Sequence, residues 1–148
     1  RRSSDLANSL IVGGLKVGMN VAVATPDGYK PDGAVLEFTK GYGDKFALET
    51  DPFMAASGAD ILITDTWTSM GEEAEKEERK KIFKDYQINR QLLAAANAGA
   101  MVQHCLPAYR GQEITEEVFE EHADEIFNEA ENRLHAQKAV MVKLMKKD

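Results

Sequence analysis

The residue types best suited to chemistry stand in the segment His104-Cys105-Leu106-Pro107, which holds the only cysteine and one of the three histidines. The segment follows residues 100–103, a short apolar run that predicts a buried strand. Ligands of open α/β sheets bind outside the carboxyl ends of the strands, where this segment would lie. A thiol at that place could serve as a nucleophile, a proton acceptor or a polar contact. The alternative is packing alone, because a lone cysteine often behaves as a small buried hydrophobic residue.

Asp65 is a second candidate, because it directly follows residues 61–64, another short apolar run that predicts a buried strand. A carboxylate at the carboxyl end of a strand can bind a substrate ammonium group, and the Ser69 hydroxyl could add a neutral hydrogen bond. Ser69 and Glu72 also match the Ser-x-x-Glu capping box, which favours a helix cap. Binding and capping are compatible, so both interpretations stay open.

Arg133 is a third candidate and stands in the segment Glu129-Ala130-Glu131-Asn132-Arg133, near the start of a predicted C-terminal helix. Its guanidinium could bind a carbonyl or phosphate oxygen. Most arginines are solvated surface residues, which is the other interpretation. Spacing alone does not distinguish the two.

The sequence context argues against two other types of site, a phosphate loop and a zinc site. The glycine-rich segment 13–18 resembles a phosphate loop but follows no strand, which disfavours a nicotinamide-dependent enzyme. His104 and Cys105 have no Cys-x-x-Cys or His-x-x-x-His partners, so no zinc site is expected. The remaining histidines, His122 and His135, are expected to be exposed on helices.

The elements that must position these candidates alternate between strands and helices. The predicted strands are residues 20–25, 46–50, 61–64 and 100–103, with a further short strand at 125–127. The predicted helices are residues 6–17, 31–41, 52–56, 72–83, 90–98 and 115–122, followed by a long C-terminal helix, amphipathic through Leu134, Ala139, Val142 and Leu144. Asp51 and Asn89 are predicted to open helices, and Gly18 to end the first one.

Short apolar strands that alternate with helices are typical of a parallel sheet covered by helices on both faces. The expected fold class is therefore α/β with three layers, and the length of 148 residues fits one domain, residues 1–148. The first recognisable element is a helix, whereas a chain of βαβ units begins with a strand. We therefore expect the first strand of the sheet to be missing.

Composition and charge exclude several classes of function. The apolar fraction of 43% and the charged fraction of 29% are those of an ordinary globular protein. A formal net charge of -7 argues against nucleic-acid binding. The basic cluster Arg79-Lys80-Lys81 lies in a glutamate-rich helix and is expected to be a solvated face.

The sequence also predicts the compartment in which the protein occurs and whether the chain is part of a longer protein. A single cysteine excludes an intrachain disulfide and is compatible with a reducing compartment. No apolar run approaches the roughly 20 residues of a membrane span, so no membrane partner is expected. The chain opens Arg1-Arg2-Ser3-Ser4-Asp5, without an initiator methionine or a signal peptide. We expect it to be a piece of a longer protein.

Five segments, in order and correctly spaced, resemble the second, amino-acid-binding domain of the ornithine carbamoyltransferases. They are Leu6-Ala7-Asn8-Ser9-Leu10, Ala24-Thr25-Pro26-x-Gly28-Tyr29, Asp65-x-Trp67-x-Ser69-Met70-Gly71, His104-Cys105-Leu106-Pro107 and Glu129-Ala130-Glu131-Asn132-Arg133. The resemblance covers essentially the whole chain and implies a Rossmann-like sheet. Within the wider family, the Ser-Met-Gly element favours ornithine over aspartate or putrescine as the amino substrate.

The resemblance implies roles for the matching positions. Asp65, Ser69 and Met70 would hold the α-amino and carboxylate end of L-ornithine, and Asp5 stands where the family has an asparagine that binds ornithine. Catalysis would depend on Asp65 and on two further residues, Cys105 beside the side-chain amine and Arg133 on the carbamoyl oxygen.

The second substrate, carbamoyl phosphate, would be contacted by Cys105, by the backbone carbonyl of Leu106 and by Arg133. The neutral δ-amine attacks the carbamoyl group, giving citrulline and phosphate, without a metal or organic cofactor. An amine with a pKa near ~10.4 must first lose a proton, so a nearby carboxylate and thiol that orient and accept are sensible. Arg133 would offset the charge that grows on the carbamoyl oxygen.

The family's carbamoyl-phosphate motifs, Ser-x-Arg-Thr and His-Pro-x-Gln, are absent, as is its first domain. The isolated chain is therefore expected to be inactive, and its parent to be a cytoplasmic homotrimer, or a multiple of trimers, in arginine metabolism. The alternative is a non-catalytic module of the same fold that binds an amino acid.

Overall fold

The computed structural model describes residues 5–68 and 76–146. Its strands are β1 (Val21–Ala24), β2 (Phe46–Glu49), β3 (Ile61–Thr64) and β4 (Met101–His104). Its α-helices are α1 (Asp5–Lys16), α2 (Gly33–Thr39), α3 (Pro52–Ala56), α4 (Lys76–Phe83), α5 (Arg90–Leu93), α6 (Glu116–Glu121) and α7 (Ala123–Met145), and short 3₁₀ turns occupy Lys40–Lys45 and Lys84–Tyr86.

The strands pair in parallel, as predicted, and the mixture of helices and parallel strands confirms the α/β class. Backbone hydrogen bonds join the described strands as two pairs, β1 with β2 and β3 with β4. In the second pair Ile61 lies opposite Met101 and Thr64 opposite His104. This register makes both strands of the pair end at the same edge, which decides where the candidate residues meet.

Local signals set several element boundaries where the sequence predicts them. The Asp51 carboxylate accepts a hydrogen bond from the Phe53 N–H at 2.8 Å, and the Asn89 side-chain oxygen accepts one from the Leu92 N–H at 2.9 Å. Gly18 adopts φ +90° at the end of α1, and its N–H donates to the Leu15 carbonyl. A left-handed residue closing a helix in this way is best supplied by glycine.

The largest described group of buried apolar residues packs on the β3–β4 pair. It comprises Ala56, Leu62, Ile88, Leu92, Val102, Ile114, Val118, Phe119 and Ile126. These residues come from both strands, from α3, α5, α6 and α7, and from the segments before α5 and α6. The core therefore holds the carboxyl ends of β3 and β4 in place.

Five expectations about elements and burial are wrong. Residues 125–127 are helical, because they continue α7, whose Ile126 is completely buried. The helix predicted over 90–98 ends at Leu93, and Asn97 instead donates hydrogen bonds to the Gly58 carbonyl and the Asp60 carboxylate. The predicted buried strand 61–64 buries Leu62 but leaves Ile63 41% exposed, because the core covers one face of the pair.

The other two concern polar side chains. Arg79 is only 9% exposed although it belongs to the cluster expected to be solvated, because it packs over Tyr29. His122 is also largely buried and pairs with Glu125 at 3.0 Å, whereas His135 is exposed as expected. In α7, the apolar side chains Leu134, Val142 and Leu144 are exposed.

A membrane-spanning helix needs a long apolar stretch, and no helix in the described ranges has one.

Candidate functional site

Asp65 and Cys105 meet at the carboxyl edge of the β3–β4 pair. Each directly follows its strand, and the register that sets Thr64 opposite His104 brings them side by side although they are 40 residues apart. The Cys105 thiol donates a hydrogen bond to Asp65 Oδ1 at 3.1 Å. Asp65 Oδ1 also accepts the backbone N–H of Thr66 at 2.7 Å. The two residues singled out from separate segments therefore form one site.

The environment of Cys105 keeps its thiol protonated. Burial, the hydrogen bond to Asp65 and the negative charges of Asp65 and Glu129 raise the pKa of Cys105 to about 12, while the positive charge of Arg133 lowers it. A thiol is nucleophilic, and able to accept a proton, only as the thiolate. At neutral pH Cys105 is therefore a hydrogen-bond donor. The role of proton acceptor that was expected for it must be filled by another group.

His104 supports the loop that carries Cys105. It is completely buried, its Nδ1 accepts the Leu106 N–H at 3.0 Å, and its Nε2 lies 3.0 Å from Glu113 Oε1. Because Nδ1 is the acceptor, Nε2 carries the proton and donates to Glu113. Glu113 Oε1 also accepts the Tyr109 N–H at 2.6 Å. One buried carboxylate thus ties together both ends of segment 104–109 by hydrogen bonds.

The loop holds Leu106 in an uncommon conformation. Its φ of +57° lies in the left-handed region, and the Leu106–Pro107 peptide bond is cis. A side chain with a Cβ in the left-handed region costs roughly 1–2 kcal/mol, and such residues concentrate at functional sites. The hydrogen bond from Leu106 to His104 helps to offset this cost.

Helix α7 adds two carboxylates along the free edge of β4. Glu125 Oε2 accepts the Val102 N–H at 2.8 Å, and one helical turn later Glu129 accepts the His104 N–H. Val102 and His104 are two residues apart on a strand, so their N–H groups point to the same side. Glu125 and Glu129 are four residues apart on a helix, so their side chains share a face. The two carboxylates can therefore reach the two N–H groups. Glu125 and Glu129 therefore replace the next strand as partners of β4.

Glu129 and Arg133 bring charge to the site from this helix. Burial raises the pKa of Glu129 and the charge of Asp65 adds to the rise, whereas the His104 N–H and Arg133 lower it. Glu129 Oε2 is buried and, among the described residues, has no hydrogen-bond partner. Arg133 is exposed, and its positive charge is near enough to lower the pKa of both Cys105 and Glu129.

Arg79 holds the start of the segment after Asp65 through contacts with Trp67 and Tyr29. The Arg79 guanidinium donates to the Trp67 carbonyl at 3.3 Å and lies 5.7 Å from the centre of the Tyr29 ring. Phe83 stacks on Trp67 and meets Tyr29 edge to face, with ring centres 6.1 and 4.9 Å away. These contacts join the start of the segment that carries Ser69 to the turn that carries Tyr29.

Three of the expected binding residues cannot be placed in this geometry. Ser69 and Met70 lie outside the described residues, and so does the side chain of Asp5, whose backbone begins α1. The capping and binding interpretations of Ser69 therefore both stay predictions.

Sequence reasoning missed Glu113, Arg79 and Glu129. Glu129 lies one helical turn before Arg133, so the spacing of a single helix face could have suggested it. Glu113 and Arg79 have no such signal, because their partners are distant in sequence or belong to loops.

The only group of potential metal ligands found in the described ranges is Asp65, His104 and Cys105, whose ligand atoms lie within 4.8 Å of one another. Two strand ends bring this group together, so the missing zinc spacing could not have shown it. Both ring nitrogens of His104 are engaged, however, and the thiol of Cys105 is protonated. A ligating nitrogen must be free and a ligating thiol deprotonated, so these residues form a hydrogen-bonded network rather than a ready metal site.

The described residues also line an open cavity of about 730 Å³ on α4 and its neighbours. Its walls include Phe53, Trp67, Lys80, Lys84 and Gln112. Apart from Trp67, which follows Asp65 in the chain, it shares no residue with the site at the strand ends.

The strand ends thus hold carboxylates and a thiol donor, with the charge of an exposed guanidinium nearby. The carboxylates suit a cationic amine, and the guanidinium suits an oxygen that gains negative charge during a reaction. This combination is suited to transfer of a polar group to an amine.

Comparison with known proteins gives a consistent family. Residues 2–144 match the family profile "Aspartate/ornithine carbamoyltransferase, Asp/Orn binding domain". The ornithine carbamoyltransferase of Gloeobacter violaceus is 54% identical over 146 residues, which are 96% of this chain and 47% of that protein. That of Mycobacterium ulcerans is 48% identical over 149 residues, covering 98% of this chain and 48% of that protein.

Solved structures agree. The anabolic ornithine carbamoyltransferase of Campylobacter jejuni superposes with a TM-score of 0.87 at 43% identity, over 93% of this chain and 47% of that one. The Gloeobacter violaceus enzyme superposes with a TM-score of 0.82 at 50% identity, over 95% and 47%. The chain spans about half the length of the relatives it matches. With a profile match over nearly its whole length, the chain belongs to the aspartate/ornithine carbamoyltransferase family and matches its Asp/Orn binding domain.

Proposed function

We propose that residues 1–148 form the ornithine-binding half of an ornithine carbamoyltransferase, which transfers the carbamoyl group of carbamoyl phosphate to L-ornithine. The observation that carries the proposal is the meeting of Asp65 and Cys105 at the strand ends, with the charge of Arg133 acting on the same thiol. Relatives named ornithine carbamoyltransferase, 54% and 48% identical to this chain, support the choice of reaction.

The proposed reaction needs a site that holds a cationic amine beside an acyl group. Asp65, Ser69, Met70 and Asp5 would hold ornithine, in accordance with the resemblance of their segments to the family. The Cys105 thiol, protonated at neutral pH, would orient rather than attack, and it would do so against an Asp65 carboxylate that its own hydrogen bond keeps in place.

The carbamoyl end would be bound from the other side. The Leu106 carbonyl would accept from the carbamoyl amide, and the Arg133 guanidinium would stabilise the carbamoyl oxygen as negative charge develops there. The left-handed backbone of Leu106 supports this assignment, because such a conformation is uncommon outside functional segments. No metal or organic cofactor takes part in the proposed reaction.

The phosphate of carbamoyl phosphate would be bound by another part of the complete protein, the part that corresponds to the half of the relatives that this chain does not match. The complete protein would then bind both substrates between two parts, whereas the 148-residue chain would bind ornithine without turnover. On the resemblance alone, we also propose that the complete protein is a cytoplasmic homotrimer, or a multiple of trimers, in arginine biosynthesis.

The test measures citrulline formation from ornithine and carbamoyl phosphate with the complete protein and with the 148-residue chain. We expect turnover only in the complete protein, and we expect ornithine, rather than aspartate or putrescine, as the amine substrate. Absence of citrulline with the complete protein, or preference for another amine, contradicts the proposal.

A non-catalytic amino-acid-binding module is the second candidate, favoured by the fact that this chain matches only about half of each relative. Calorimetry with ornithine, with and without carbamoyl phosphate, separates the two. Weak ornithine binding that carbamoyl phosphate does not change, in a complete protein that makes no citrulline, supports the module.

A further inference from the structure

We propose that Glu129 accepts the proton that the side-chain amine of ornithine must lose before it attacks the carbamoyl group, an inference that rests on the proposed function. An amine with a pKa of ~10.4 is almost entirely an ammonium ion at neutral pH, and an ammonium nitrogen has no lone pair for attack. A base inside the site must therefore take the proton.

The other groups at the strand ends are poorly suited to this task. The Cys105 thiol is itself protonated at neutral pH and already donates to Asp65. Asp65 Oδ1 accepts both this thiol and the Thr66 N–H, so this oxygen already has two donors. Arg133 is a permanent cation and cannot accept a proton.

Glu129 has the free oxygen that the task requires. Its carboxylate is held by the backbone N–H of His104, the residue before Cys105, and its Oε2 is buried with no hydrogen-bond partner among the described residues. An unpartnered buried acceptor is destabilising, and a donor from bound substrate removes that cost. The ornithine ammonium is such a donor.

The charges around Glu129 fit the same role. Asp65 faces it from the end of β3, His104 and Cys105 from the end of β4, and Arg133 from its own helix. Burial and the Asp65 charge raise the pKa of Glu129, which makes it a stronger base than an ordinary glutamate, while Arg133 limits the rise. A general base works best when its pKa lies near the operating pH.

The step balances without an additional reactant. One N–H bond of the δ-ammonium breaks, its electron pair stays on nitrogen, and the proton forms an O–H bond at Glu129 Oε2. The nitrogen lone pair then forms the bond to the carbamoyl carbon. The carbon–oxygen bond to phosphate breaks with its electron pair on the leaving oxygen, and phosphate takes the second proton from nitrogen.

Glu129→Gln tests this role in the complete protein, because the amide oxygen can still accept the His104 N–H while the amide cannot take a proton. Glu125→Gln is the matched control, since Glu125 receives the Val102 N–H in the same way one turn earlier. We expect kcat for citrulline formation at pH 7 to fall about 100-fold in Glu129→Gln, as for loss of a general base. The ornithine KM should also rise, because the ammonium loses the carboxylate oxygen that receives it, so kcat is measured at saturating ornithine, and Glu125→Gln should stay near the wild type.

The pH profile separates proton transfer from structural support. Hydroxide can replace the lost base at high pH, so the kcat deficit of Glu129→Gln should shrink between pH 7 and pH 9. A deficit that is constant with pH, equal to that of Glu125→Gln, or smaller than about threefold at pH 7 overturns the role of Glu129. A wild-type protein that forms no citrulline refutes the proposed function instead, so the two failures are distinguishable.

Discussion

Alkylation of Cys105 tests the central electrostatic property of the site, and the absence of any other cysteine means that the signal reports on this residue alone. With a pKa raised from 9.0 to about 12, the thiolate fraction at neutral pH is roughly 1,000-fold lower than for an unperturbed thiol. A thiolate of higher pKa is intrinsically more nucleophilic, by roughly 15- to 30-fold for this difference. The net expectation is alkylation about 50-fold slower than for an ordinary cysteine.

The assay follows the rate of iodoacetamide labelling by mass spectrometry, in buffer and in concentrated urea, where the unfolded chain provides the reference thiol. The folded rate should rise about tenfold per pH unit through pH 10, because it follows the thiolate fraction of a group titrating near pH 12. A folded rate within about threefold of the unfolded one at pH 7 refutes the assignment of Cys105 as a protonated donor.

Asp65→Asn sharpens the same experiment. It removes the negative charge and the carboxylate acceptor that raise the pKa of Cys105, so labelling should accelerate several-fold. It should not reach the unfolded rate, because burial is the largest cause of the rise and remains. Asp60→Asn is the control, since the Asp60 carboxylate pairs with Asn97 instead. Equal rates in Asp65→Asn and the wild type contradict the role of Asp65.

Three further outcomes are expected. Glu113→Ala should lower the free energy of unfolding in urea by at least about 1–3 kcal/mol, since it leaves the buried His104 donor unpaired and removes the acceptor of the part-buried Tyr109 N–H. Glu117→Ala, at an exposed ion pair, should cost less than about 1 kcal/mol, and equal losses would refute the prediction. Ile126→Ala should cost about 2–5 kcal/mol through a core cavity, and Leu144→Ala, 80% exposed, far less. Arg79→Gln should raise the ornithine KM of the complete protein more than it lowers kcat, because it releases the Trp67 carbonyl; an unchanged KM argues against that anchor.

The sequence by itself determined what depends on local interactions. The strand at 61–64 follows from a short apolar run. The end of α1 follows from Gly18, and the starts of α3 and α5 follow from Asp51 and Asn89, whose capping partners lie within a few residues. Each motif segment that resembles the family could likewise be recognised from its own few residues. Where a local pattern competes with distant packing, prediction failed: residues 125–127 look like a strand but continue α7, because Ile126 fills the core.

Only the tertiary structure decided how these segments work together. Asp65 and Cys105 touch because two parallel strands in register end at one edge, a relation that no spacing along the chain contains. The same packing brings Glu129 onto the free edge of β4, buries Arg79 against Tyr29 and gives His104 the carboxylate of Glu113. Protonation of the Cys105 thiol follows from burial and neighbouring charge, which are properties of the folded site and not of the residue.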